Sequence, residues 1–135
     1  MKILIATVLA MLITASQPSI NVQEQSSRVK AESPFACVPS ALTPKERKRH
    51  FEELAPALRS LKKSVRELDN GFEFEFPADK QTYQMVTEFV DGERLCCPFF
   101  DIDIRLEREG GSLWLRLTGR EGTKDFIKQE FSPWR

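Results

Sequence analysis

Asn70-Gly71-Phe72-Glu73-Phe74-Glu75-Phe76-Pro77 is a turn signal followed by strict alternation of aromatic and acidic side chains. A period of two puts Phe72, Phe74 and Phe76 on one face of a strand and Glu73 and Glu75 on the other. Asn-Gly readily takes the positive φ angles of a tight hairpin turn, so residues 65–68 are the expected partner strand. Three phenylalanines on one face need a cover, which gives the sheet a core side and a wet side.

Upstream of this hairpin, Thr43-Pro44-Lys45-Glu46 combines a cap, a proline at the first helical position and a capping box. Phe51, Leu54, Leu58 and Leu61 then recur at helical spacing, and Pro56 should kink or split that helix near its middle. Downstream, Asp79 caps a second helix whose expected buried stripe is Tyr83, Val86, Phe89 and Val90, extended by Met85. Gly92 weakens it and Pro98 stops it. A second hairpin follows, with Phe100, Ile102, Ile104 and Leu106 alternating before a Gly110-Gly111 turn and Leu113, Leu115 and Leu117 after it. A short final helix carries Phe126, Ile127 and Phe131.

The order α-ββ-α-ββ-α predicts an α+β, two-layer sandwich: an antiparallel four-stranded sheet with helices on one face. The opposite face, with Arg66, Glu73, Asp101, Asp103, Arg105, Glu107 and Arg116, reads as solvated and ion-paired. Trp114 interrupts it, either as an ordinary amphipathic residue or as the mark of a protein-partner patch.

The chain has 135 residues, 41% hydrophobic and 30% charged, which suits one domain. Twenty basic and twenty acidic side chains cancel, so no global field draws the protein to nucleic acid. Lys2 followed by an apolar run over residues 3–13 is too short for a membrane span, which needs about 20 residues. It reads as a signal peptide over residues 1–16, leaving no membrane span once removed and implying export to the periplasm or the extracellular space. Residues 17–34 are polar and read as a disordered linker, and residues 35–135 as the single domain.

Chemistry concentrates at three cysteines, Cys37, Cys96 and Cys97, with Glu93 one helical turn before the adjacent pair. On a continuous helix Glu93 approaches the same face as Cys96 and Cys97. Neighbouring cysteines rarely bridge each other, so in an oxidising compartment Cys37 is the natural partner of one of them, closing a loop of about 60 residues. The other reading is a soft-metal or thiol-reactive-ligand site built from Cys37, Glu93, Cys96 and Cys97, for zinc, copper or a heavy metal. A thiol oxidoreductase ranks third, because a helix C-terminus opposes thiolate charge. Binding is favoured over catalysis, and a non-enzymatic interaction domain stabilised by a Cys37 disulfide is the alternative. His50, the only histidine, ends the basic run from Lys45 and reads as part of a solvated helix face. No Ser-His-Asp set, phosphate loop or histidine pair supports a hydrolase or nucleotide role.

The run Glu93-Arg94-Leu95-Cys96-Cys97-Pro98-Phe99, the Gly110-Gly111 turn and Thr118-Gly119-Arg120-Glu121-Gly122-Thr123-Lys124-Asp125-Phe126 resemble a family of small uncharacterised bacterial proteins with the pattern E-R-x-C-C-P-F … T-G-x-E-G-x-K-x-F. The resemblance covers most of residues 37–128. It implies that Cys37, Glu93, Cys96 and Cys97 belong together.

Overall fold

The computed structural model describes residues 31–134, so the expected signal peptide and most of the expected linker lie outside the described residues. The compact body starts at Glu32. Arg120 holds its first residues, pairing with Glu32 at 3.3 Å and donating to the Ser33 carbonyl.

Strands β1 (Ser64–Leu68), β2 (Gly71–Phe76), β3 (Asp101–Leu106) and β4 (Leu113–Thr118) form an antiparallel sheet in the order β1-β2-β4-β3. In the first hairpin Leu68 faces Gly71, so the loop is Asp69-Asn70, and neither residue takes a positive φ. The turn therefore sits one residue ahead of Asn-Gly, and Gly71 belongs to the strand. Its reason for being glycine is space: a Cβ there would lie 2.1 Å from the Leu117 carbonyl oxygen on β4. The second hairpin also turns one residue early, with positive φ at Glu109 (59°) and Gly110 (74°).

The phenylalanine face is paired across the sheet centre: Phe72 with Leu117, Phe74 with Leu115, Phe76 with Leu113. Phe74, Phe76, Leu113, Leu115 and Leu117 are fully buried under the helices. Each such side chain contributes roughly 1.5–3 kcal/mol by leaving water. The two-layer α+β architecture is as the sequence predicts.

Helix α1 (Pro44–Lys48) carries the expected capping box between Thr43 and Glu46. It runs through a π-helical turn (Arg49–Leu54) into α2 (Ala55–Leu61). Pro56 is the cause: it offers no N–H to the Glu52 carbonyl and its ring crowds that group. The backbone widens instead, and the Ala55 N–H reaches back to the His50 carbonyl. The buried set becomes His50, Leu54 and Leu58, while Phe51 is 40% exposed. The reading of Phe51 as core and His50 as solvated is thus reversed.

Helix α3 (Lys80–Cys96) starts where Asp79 accepts from the Thr82 N–H at 3.0 Å. It buries Val86, Phe89 and Val90 as expected, but Thr82 takes the place assigned to Tyr83, which is exposed. Glu93 and Cys96 continue the buried face to the last turn. Helix α4 (Thr123–Glu130) adds Ile127, and Phe131 and Trp134 close the core behind it.

On the other face of the sheet the ion pairs form, but Glu73 is only 1% exposed. Arg66 on β1 and Arg116 on β4 stand directly opposite it and hold its two oxygens at 2.5 and 3.1 Å. Trp114 is also covered: the guanidinium of Arg66 lies 4.6 Å and that of Arg105 5.5 Å from its ring, and its Nε1 donates to Glu107. Arginine stems lie flat on such surfaces while their charged ends stay wet, which is why an acidic or aromatic residue disappears beneath them. Among the described residues, no helix is long and apolar enough to cross a membrane.

Candidate functional site

The last turn of α3 brings Glu93 and Cys96 to one face, and the Cys97 N–H still bonds the Glu93 carbonyl at 2.7 Å although the helix ends there. An extended strap over residues 35–38 crosses this end. The Val38 N–H donates to the Cys96 carbonyl at 2.8 Å, satisfying one of the carbonyls a helix terminus leaves open. Phe35 packs edge-on against Phe99, and Arg120 lies over the Phe35 ring.

Cys37, on that strap, is disulfide-bonded to Cys97, with Cα atoms 4.7 Å apart. Cys96 is a free, buried thiol. The four residues singled out from the sequence are therefore together: one donor atom each from Cys37, Glu93, Cys96 and Cys97 lie within 4.8 Å of one another.

His50 is the member that sequence reasoning missed. It is 2% exposed, stacks on Phe89 at 4.6 Å, and places Nε2 3.0 Å from Glu93 Oε1. Gly92 makes room for it, since a Cβ there would come within 2.4 Å of His50 Nδ1. A glycine in mid-helix costs about 1 kcal/mol relative to alanine, and that unexplained cost was the available signal. Glu93 Oε2 is buried without a hydrogen-bond partner. His50 thus fixes one carboxyl oxygen and leaves the other without a hydrogen bond.

Cys96 Sγ is 3.8 Å from Cys97 Sγ and no more than 4.8 Å from Cys37 Sγ, so the free thiol lies beside the bridge.

Burial, and next the charge of Glu93, push the Cys96 thiol up to about 12 from an ordinary 9.0. The folded protein favours the neutral thiol, so this stabilisation is fully present below the ordinary value and is lost as pH rises through the window from 9.0 to about 12. Denaturant midpoints measured across that window should fall more steeply for the native chain than for Cys96→Ala. Equal slopes would remove Cys96 as the cause.

No family model, curated protein or solved structure matches this chain.

Proposed function

We propose that this is an exported soft-metal-binding domain whose ligands are Cys37, Cys96, Cys97 and Glu93, and whose site exists in two states. With Cys37 and Cys97 joined, the site is closed. A dithiol reductant opens it: two electrons and two protons pass to the Cys37 and Cys97 sulfurs, and the reductant's own pair closes as a disulfide. A zinc or cuprous ion then displaces thiol protons and takes the thiolates. The observation that carries the reading is the convergence of the four donors within 4.8 Å, with a buried carboxyl oxygen that has no other partner. The disulfide agrees with an oxidising compartment, periplasmic or extracellular, as does the apolar N-terminal run. The likeness of residues 93–99 to the E-R-x-C-C-P-F family belongs to the same proposal, since it groups the same residues.

Thiol counting tests it. The oxidised protein should show one thiol on unfolding, and the reduced protein three. Zinc or cuprous ion added to the folded, reduced chain should protect all three until a chelator is supplied, and Glu93→Gln should weaken that protection. A reduced protein whose thiols label at the same rate with and without metal would overturn the reading. It would leave the second one, favoured by the disulfide itself: an interaction domain in which Cys37–Cys97 serves only stability.

A further inference from the structure

Cys37 and Glu93 line a cavity of ≈ 310 Å³ whose walls include the rings of Phe51, Phe89, Phe131 and Trp134. A bare ion held by four protein donors has no use for that space. The rings brace one another: Phe89 lies 5.3 Å and Phe131 5.9 Å from Trp134, and His50 fills the gap between Phe89 and Phe51. The cavity is therefore formed before any ligand arrives, with four rings in its wall beside Cys37 and the charged Arg59 and Glu130. Its fourth ring, Phe51, is the one the π turn rotates out of the core; with no core to fill, it serves as a wall.

We propose that the reduced site takes a thiophilic metal or metalloid centre bearing one aryl group, and that the aromatic cavity seats that group. This rests on the metal-site reading and specifies its ligand. Ring-on-ring contact in a preformed cavity walled by four aromatic rings favours an aryl body, while Cys37 at the cavity wall supplies the attachment point. A trivalent monoarylarsenical, R–As(OH)₂, shows the chemistry. Two protein thiols, Cys37 and one of Cys96 and Cys97, each give a proton to a departing hydroxide. Two As–O bonds are exchanged for two As–S bonds, two waters leave, and no electron is transferred. The aryl carbon remains on arsenic and points its ring at Phe51, Phe131 and Trp134.

The test compares phenylarsine oxide with methylarsine oxide on the reduced full chain, each affinity divided by that for a free small dithiol. The phenyl compound should bind about tenfold more tightly on this scale, as burial of a ring requires. Phe51→Ala, which removes one of the four rings, should lower this ratio, with the methyl compound's own affinity as the control for any effect passed through His50 to the sulfur cluster. If zinc and the methyl compound bind but the phenyl preference is missing, or is undiminished in Phe51→Ala, the aryl site is wrong and the metal site stands. If neither zinc nor either arsenical binds, both fail together.

Discussion

Removing the Cys37–Cys97 bridge, by reduction or in Cys37→Ala, lowers unfolding stability by about 4 kcal/mol in the chain-entropy account. The two cysteines are 60 residues apart in sequence, and the loop they close takes in α1, α2, the first hairpin and α3. An unfolded chain freed of that cross-link gains much of its disorder back, so the native state loses ground without losing its core contacts. Denaturant titration of oxidised and reduced protein should show a lower midpoint, with a larger m for the reduced form because its unfolded state exposes more surface. Zinc added to the reduced protein should restore part of the loss, since an ion that binds only the folded state adds its binding free energy. A reduced protein as stable as the oxidised one would mean that the strap holds equally well without its covalent link.

The second large effect belongs to His50. His50→Ala should destabilise the domain by about 3–5 kcal/mol, the sum of an orphaned buried carboxyl group and the void left by a buried ring. Glu93 would keep no partner for either oxygen, and the ring lost from between Phe89 and Phe51 would leave a void. Removing both polar groups separates these causes. A His50→Leu, Glu93→Met pair should recover most of the stability, because apolar replacements of similar volume need no partners. The same double variant should bind metal more weakly than the native chain. Single and double variants compared in one cycle give the coupling; a value near zero would show that the pair is incidental.

Most of the fold was readable because its signals are local. Alternation at Phe72, Phe74 and Phe76 and the caps at Thr43 and Asp79 act within a few residues, and each is found where the sequence puts it. The sulfur–carboxyl cluster was readable for a related reason, since Glu93 and Cys96 share a helix face by spacing alone. Which cysteine Cys37 would join was not, because that depends on where the strap crosses α3. His50 was misread because its sequence neighbours are charged, and a helix of ordinary pitch places Phe51, not His50, against the core. Pro56 changes the pitch, and no periodicity template anticipates that. Glu73 was misread for a different reason: alternation reports which face a residue occupies, but not that two opposing arginines will fold over it.

The Val38–Cys96 backbone bond and the Phe35 clamp give the strap two anchors that contain no sulfur. Opening the disulfide therefore does not release Cys37 into solution. It stays tethered near its former partner, at an effective concentration on the order of millimolar or above. Re-closure of the bridge by an external oxidant and, in the proposed function, capture of an ion from solution then compete for one preassembled set of sulfurs. Which occurs is a race set by the supply of oxidant and of metal, and the protein's history of exposure would be recorded in the state of a single pair of sulfurs.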